Sequence, residues 1–288
     1  MTVLTAPRVL RLRLGLLLSW PTVALLGLGA VPFGLLLRIS LAERDPNGIY
    51  LPGVTLHSYG ALGEPELLGA LLDSIQLAVV VGAISVGLGF PLTWAITRMR
   101  RRLQVVWLVF LLTTLSLSDV LIAFSWQVML SKRIGLSNLF VALGLMDAPE
   151  SLTPSAGAVV ACLVYLVLPF TVLTLFPVLS RLDRDLIEAA RTLGASPLKA
   201  FASVVVPMTK GPAMIAFVMG VVLTVGAYVP PLVLGRPQSW PMAVLIGSTA
   251  LAGHDLPRAS AMSVFLLAAT VLLAFGAFQA TRMRVGKS

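Results

Sequence analysis

The stretch SLTPSAGAVVACLVYLVLPFTVLTLFPVLS, residues 151–180, is thirty residues long and contains no Asp, Glu, Lys or Arg. An α-helix needs about 20 apolar residues to cross the hydrocarbon core of a bilayer, which is about 30 Å thick. Within lipid every backbone N–H and C=O group must be paired, and a helix pairs them within the segment itself. The stretch therefore predicts a transmembrane helix.

Other stretches of this kind surround it. Charged residues are absent from 14–37, 74–97, 211–235 and 259–281, and 103–131 contains a single one, Asp119. Each is long enough to span a bilayer as a helix, and none alternates polar and apolar residues as a transmembrane β-strand would. The first is longer than the apolar core of a typical signal peptide. We predict an all-α integral membrane protein with six transmembrane helices.

The composition excludes most other classes of protein. Of the 288 residues, 58% are apolar and 11% are charged, and the mean hydropathy is +0.96. A soluble enzyme carries about 25% charged residues, and a disordered chain is far less apolar. With Cys162 as its single cysteine and two distant histidines, the chain offers neither a disulfide framework nor a multi-His metal centre.

The distribution of basic residues predicts an orientation. If the N-terminus is cytoplasmic, 15 of the 21 Lys and Arg residues fall in the cytoplasmic segments and six in the outer ones. Loops on the cytoplasmic side of membrane proteins carry an excess of Lys and Arg. We therefore expect both termini in the cytoplasm of a bacterium and interpret the net charge of +9 as a topology signal rather than a nucleic-acid surface. The outer segments carry two more acidic than basic residues, which suits either a solvated rim or contact with a cation or a basic partner.

The loop 181–210, between the fourth and fifth spans, has helix signals of its own. Asp185 and Glu188 have the spacing of an N-cap and an acidic residue in the first turn. A short helix is predicted over Leu186–Leu193, and Gly194 stands where a glycine commonly ends a helix.

A second short helix is predicted directly after the first. Ser196 followed by Pro197 is a typical helix start, and Pro207 is predicted to end the helix. Two short helices bent at a glycine would make a compact knob. The alternative is a helix lying on the lipid surface, but the small side chains of Ala189 and Ala190 favour close contact with another protein.

The same loop carries a spaced motif. It runs Glu188-Ala189-Ala190, three residues, Gly194, nine residues, Val204-x-Val206-Pro207. This pattern resembles the EAA loop of the permeases of ATP-binding-cassette importers, with two valines in place of the usual isoleucine and leucine. The resemblance extends over about residues 60–281, and the segment Leu234-Gly235-x-Pro237 is most similar to spermidine/putrescine-type permeases. Permeases for sulfate, ferric iron and aminophosphonates are similar too.

The resemblance implies a type I importer permease fold with a cytoplasmic coupling-helix loop. The permease domain would occupy 61–281, after an N-terminal tail, first span and start of the outer loop in 1–60, and before a cytoplasmic tail at 282–288. The implied partners are a second, identical or related permease, two ATPase subunits that hold ATP and Mg, and a substrate-binding protein on the outer side. This chain would carry no cofactor and catalyse no reaction. The residues that would dock on the ATPase are Glu188, Ala189, Ala190, Leu193, Gly194 and Pro207.

Three residues are candidates for the substrate path. Asp119 is the one acid inside a predicted span, and Trp126 falls near the same helix face, where it would stack on a cation. Alternatively the third span ends early, and Asp119 caps it or pairs with a neighbouring chain. Tyr228 precedes Pro230 and Pro231, which should break the fifth span at either a gate or a simple helix end. A path with these groups favours a small organic cation, a polyamine above all.

Two rival classes fit the sequence less well. A secondary transporter usually has more spans, inverted repeats and several polar residues within the membrane. A membrane-bound enzyme would need clustered His, Asp or Ser residues near the bilayer surface, and the sequence contains no such cluster. We therefore expect an inner-membrane permease, in contact with lipid and not with nucleic acid.

Overall fold

The computed structural model describes residues 8–45, 50–133, 135–144 and 147–285, so the ends of both predicted tails, 1–7 and 286–288, lie outside the described residues. Apart from an isolated bridge between Glu43 and Leu51, the regular structure in these ranges is helical, which confirms the all-α prediction. The helices are α1 (Arg8–Ser40), α2 (His57–Gly60), α3 (Pro65–Arg98), α4 (Arg101–Leu115), α5 (Asp119–Met129), α6 (Leu136–Ala142), α7 (Ala156–Leu179), α8 (Arg184–Thr192), α9 (Pro197–Ala200), α10 (Val206–Met208), α11 (Lys210–Val225), α12 (Val229–Leu234), α13 (Met242–Leu251) and α14 (Leu256–Val285).

Four helical segments of the described chain are long and apolar enough to span a membrane by themselves. They are Pro21–Ser40 in α1, all of α3, all of α7, and Leu256–Ala277 in α14. Two bent pairs of helices bring the number to six if each pair counts as one span: α4 with α5, and Phe201–Met208 with α11. Counted in that way, the described residues contain the six spans that were expected, and without the bent pairs they contain four.

The stretch 103–131 is not one straight helix. It divides into α4 and α5, which meet at 96°. The break falls at Ser118, whose side-chain oxygen accepts a hydrogen bond from the backbone N–H of Val120 and so begins a new helix. The span is therefore interrupted rather than straight, and Asp119 lies in the first turn of α5 without capping either helix, since Ser116 is the C-cap of α4 and Ser118 is the N-cap of α5.

The stretch 211–235 is broken in the same way. Helix α11 ends at Val225, and α12 begins at Val229 with prolines at its second and third residues. The predicted break at Pro230 and Pro231 is confirmed, and its cause is the missing N–H of proline. At 16 residues, α11 is about 24 Å long by the usual rise of an α-helix.

The contacts divide the chain into two compact units, of which the larger comprises Gly63–Ser248 and the chain after Phe265. Its centre is formed by α3, α7 and α11, which pack against one another. The helices approach closely at glycines: a Cβ on Gly89 would lie 2.7 Å from Thr171 Cγ2, and one on Gly220 would lie 3.0 Å from Val167 Cγ1. Small residues at such contacts are typical of helix packing in membranes.

The smaller unit comprises the chain up to Leu62 together with Thr249–Val264. The sequence-based prediction had placed Thr249–Val264 in the 61–281 domain. Arg44 links its parts, since Nε lies 3.6 Å from Asp255 Oδ2 and Nη2 donates a hydrogen bond of 3.2 Å to the Gly253 carbonyl. The other carboxylate oxygen of Asp255 accepts from the backbone N–H of Arg258 in the first turn of α14.

Candidate functional site

The first helix of the 181–210 loop starts two residues earlier than predicted. Asp183, not Asp185, is the N-cap, and its Oδ1 accepts a hydrogen bond of 3.0 Å from the N–H of Asp185. The prediction of Asp185 as the cap was wrong because Asp183 offers the same side chain in the extended conformation that a cap requires. Asp185 and Glu188 therefore both lie within α8.

Gly194 ends α8, as predicted. Its φ of +89° is in the left-handed region that favours glycine. The N–H of Gly194 donates to the carbonyl of Arg191, and the N–H of Ala195 donates to that of Ala190, over 3.0 and 3.1 Å. These two bonds form a Schellman motif, which satisfies carbonyls that the end of a helix would otherwise leave open.

The second helix of the loop does not stop at Pro207. Ser196 caps its start by accepting from the N–H of Lys199, as predicted. After α9 the chain widens into a π-helix over Phe201–Val205 and then continues into α10, within which Pro207 lies. The prediction failed because a π turn shifts the hydrogen-bonding register, so the missing N–H of Pro207 no longer ends the helix. The bend instead comes at Thr209.

Apolar residues attach this loop to the spans. Ile187, Ala200 and Val205 are buried in one cluster with residues of α3, α7 and α11. The ring of Phe201 lies edge-on to Phe90, with centroids 5.5 Å apart, and 5.7 Å from the ring of Trp94. The knob is therefore held rigidly to the spans rather than lying loosely on their surface.

The opposite side of this two-helix knob is exposed. Most of the motif residues are exposed, and Ala190 is half-buried. Leu193 is 89% exposed, which is unusual for a large apolar side chain beside a tight turn. The exposed motif residues are Glu188, Ala189, Leu193, Gly194 and Pro207. The structure thus presents these residues on one continuous loop.

A cavity of about 340 Å³ lies where the two broken spans meet α7. It is lined by residues at the end of α4, the start of α5, the middle of α7 and the break between α11 and α12. Both breaks line the cavity: the α4–α5 break does so at Leu117 and Asp119, which are exposed in this chain, and the α11–α12 break at Gly226, Ala227 and Tyr228. The polar lining residues are Thr114, Asp119, Tyr165, Thr224 and Tyr228.

The cavity brings together two of the three predicted path residues. Asp119 and Tyr228 both line it, and Asp119 provides its one charged side chain. No ion pair to Asp119 occurs within the described residues. Trp126 does not line the cavity but lies behind it, packed edge-on against Tyr165 with ring centroids 6.1 Å apart.

Tyr165 is a lining residue that the sequence did not reveal. It stands four residues before Pro169, which has no N–H to donate to the carbonyl of Tyr165. Pro230 and Pro231 likewise cannot donate to the carbonyls of Gly226 and Ala227, which also line the cavity. The sequence signal that could have identified Tyr165 is its position four residues before a proline within a predicted span.

The chain is similar to a family of known transport proteins. A family model described as the binding-protein-dependent transport system inner membrane component matches residues 86–284, more than two thirds of the chain. The chain belongs to this family. It is therefore a multi-pass inner-membrane permease, the membrane component of an ATP-binding-cassette importer that works with a substrate-binding protein.

Individual relatives agree with the family. The spermidine/putrescine transport system permease protein PotB of Escherichia coli (strain K12) is 27% identical over 254 residues, which is 88% of this chain and 92% of that protein. The inner membrane ABC transporter permease protein YdcU of the same organism is 28% identical over 246 residues, 80% of this chain and 78% of that one.

A solved structure shares the fold. A bacterial ABC transporter involved in the import of the acidic polysaccharide alginate contains a chain with a TM-score of 0.75 and 13% identity, covering 96% of this permease and 97% of that chain. At this identity the likeness concerns the fold alone, and it supports the importer permease fold expected from the sequence.

Proposed function

We propose that this permease forms half of the membrane path of a polyamine importer and that the 340 Å³ cavity lies on that path. The observation that carries the proposal is Asp119, a carboxylate with no ion-pair partner among the described residues, in a cavity whose lining contains no basic side chain. The 27% identity to a spermidine/putrescine permease over nearly its whole length agrees with a polyamine as the substrate.

The chemistry of the cavity suits an ammonium group. A charged group that leaves water needs a partner of opposite charge or strong acceptors, since an unpaired charge in a low-dielectric path is costly. Asp119 offers the charge, and Tyr165 and Tyr228 offer hydroxyl oxygens and ring faces. The carbonyls freed by Pro169, Pro230 and Pro231 add acceptors. An anion would require donors, and among the lining side chains only the hydroxyl groups can donate.

We further propose that the 181–210 loop couples this path to a separate ATPase subunit. The exposed residues of α8 and its glycine turn would enter a groove of that subunit, with Leu193 packing inside and Glu188 at the rim. Because Ile187 and Val205 are buried against the spans, a movement of the ATPase would pass directly to α3, α7 and α11. ATP and Mg would be held by the ATPase, and this chain would catalyse no reaction.

The complete assembly in this proposal contains a second permease, either identical or related, two ATPase subunits and a substrate-binding protein. Both termini of this chain would lie in the cytoplasm, as the distribution of basic residues predicts. The smaller unit would then present its Arg44–Asp255 pair on the outer side.

Transport by the reconstituted complex tests the substrate. The permease is co-purified with its ATPase, second permease and binding protein, and uptake into ATP-loaded proteoliposomes is measured with labelled spermidine, putrescine and sulfate. We expect ATP-dependent uptake of a polyamine and none of sulfate. A binding protein that selects an anion, or sulfate uptake by the complex, would overturn the cation assignment while leaving the permease fold and family intact.

A further inference from the structure

Four arginines occur within five residues at the turn between α3 and α4. The sequence is RMRRR over residues 98–102. Helix α3 ends at Arg98 and α4 begins at Arg101, so that only Met99 and Arg100 separate them, both in extended conformations. The positive charge is thus concentrated on a two-residue turn and the helix ends beside it.

Hydrogen bonds hold this turn in one geometry. The side-chain Nε2 of Gln104 donates to the carbonyls of Thr97 and Met99, at 3.1 and 3.0 Å, and so spans the turn from one helix to the other. The guanidinium of Arg98 lies over the ring of Trp94, with its carbon 4.1 Å from the ring centroid. The arginines are therefore presented from a fixed backbone.

Three of the arginines, Arg100, Arg101 and Arg102, have no ion-pair partner in the part of the chain that the structure describes. The sequence contains no Asp or Glu between Asp73 and Asp119. Among the described residues, no carboxylate lies within 4.0 Å of the guanidinium groups of Arg100, Arg101 or Arg102, all three of which are exposed. These three guanidinium groups are therefore available to an anionic partner from outside this chain.

The position of the cluster identifies that partner. Exposed apolar side chains begin directly after the arginines, at Leu103, Val105 and Val106 on α4, so an apolar surface starts three residues past the turn. Trp94 and Trp107 lie on either side of the turn, and tryptophan is enriched at the membrane–water interface. The charge-free stretch 74–97 runs up to Arg98, and the apolar stretch that follows begins at Leu103. The arginines thus lie between the apolar ends of two spans, which is where lipid headgroups are expected.

We propose that this arginine turn is a binding site for the phosphate headgroup of an anionic phospholipid. Guanidinium groups bind phosphate oxygens through paired hydrogen bonds, and basic clusters next to a membrane span attract anionic lipids. The proposal does not depend on the transported substrate. A docked protein is the competing occupant, and the shortness of the turn disfavours it.

Native mass spectrometry of the purified transporter complex tests the site. The complex is exchanged into detergent containing phosphatidylglycerol, phosphatidylcholine or soluble glycerol phosphate, and the ligand retained is counted. The variant Arg100→Gln/Arg101→Gln/Arg102→Gln should retain phosphatidylglycerol at least about threefold less than the wild type. The control Arg282→Gln/Arg284→Gln/Lys287→Gln removes the same charge from the predicted tail and should retain it normally.

A lysine variant separates lipid binding from membrane insertion. The variant is Arg100→Lys/Arg101→Lys/Arg102→Lys. It keeps the positive charges that direct insertion but loses the planar guanidinium groups, so it should insert normally and retain less phosphatidylglycerol. Equal retention by the glutamine variant and the wild type would overturn the proposal. So would equal retention of phosphatidylcholine, retention of glycerol phosphate in place of lipid, or loss of a partner subunit from the glutamine variant with lipid retention unchanged.

Discussion

The ring of Tyr228 lies directly against the backbone of Gly247, with no space between them for a side chain. A Cβ on Gly247 would lie 3.0 Å from Cζ and 3.2 Å from Oη of Tyr228, and closer still to Cε2. Real Cβ atoms essentially never come as close as this one would to Cε2, and few come as close as it would to Cζ and Oη. Because Tyr228 also lines the cavity, α13 determines how far the ring extends into it.

Gly247→Ala should therefore displace the ring of Tyr228 and impair uptake. The added methyl group cannot be accommodated without a movement of the tyrosine, so we expect a several-fold rise in the KM for uptake with ATP hydrolysis retained. Gly87→Ala is the matched control, since no atom lies within 4 Å of its Cβ position on α3. Unchanged uptake by Gly247→Ala would mean that the position of Tyr228 does not matter to transport.

Two buried serines on α3 should differ in their contribution to stability. Ser74 Oγ accepts a hydrogen bond of 2.8 Å from the N–H of Met242, whereas Ser85 Oγ has no hydrogen-bond partner among the residues that the structure describes. Ser74→Ala leaves a buried N–H unsatisfied and should cost about 1–3 kcal/mol, whereas Ser85→Ala should be neutral or slightly stabilising. Thermal unfolding of the purified complex measures both, and equal shifts in Tm would contradict the assignment.

The sequence predicted the fold because its signals are local. The lack of charged residues in 151–180 was enough to predict that span, and Gly194 was enough to predict the end of α8. Of the two broken spans, the fifth was marked by Pro230 and Pro231, and only the third was harder to predict. Ser118 and Asp119 do carry an N-cap signal, but the apolar residues on either side conceal a break that depends on the packing of α5 against α7 and α12.

The candidate site was predicted in part for the same reason. Asp119 and Tyr228 stand out locally, as a charge and a tyrosine beside two prolines. Trp126 was expected on the path because it shares a helix face with Asp119, but its ring contacts Tyr165 on α7 and does not line the cavity. Contacts between residues far apart in sequence, such as that one, leave no periodic pattern to detect.

Gly194→Trp should abolish transport while the permease remains in the membrane. The substitution strains a residue at φ +89° and places a bulky ring beside Leu193, where a partner would need to approach closely. Gly144→Trp is the matched control, because Gly144 also has a positive φ, +71°, and open space around it, and lies outside the loop. Normal transport by Gly194→Trp would exclude this loop as the coupling element.

The orientation can be measured with single cysteines in a Cys162→Ala background. Both His57 and Arg100 are exposed in the structure, so burial would not hide either position from a reagent. In intact cells a membrane-impermeant maleimide should label His57→Cys and not Arg100→Cys, and both should react after lysis. Labelling of Arg100→Cys in intact cells would reverse the orientation.

Asp119→Asn should impair polyamine uptake more than any other single change in the cavity. A hydrogen bond to a charged group contributes about 1.5–3 kcal/mol, so losing the charge should slow uptake roughly ten- to hundredfold. Ser118 rather than Asp119 caps α5, so the helix should form and basal ATP hydrolysis should survive. Asp147→Asn removes the same charge outside the cavity and should transport normally. Since uptake and ATP hydrolysis are measured on the same proteoliposomes, a loss of both would indicate damaged assembly, and unchanged uptake would make Asp119 a structural residue of the α4–α5 break.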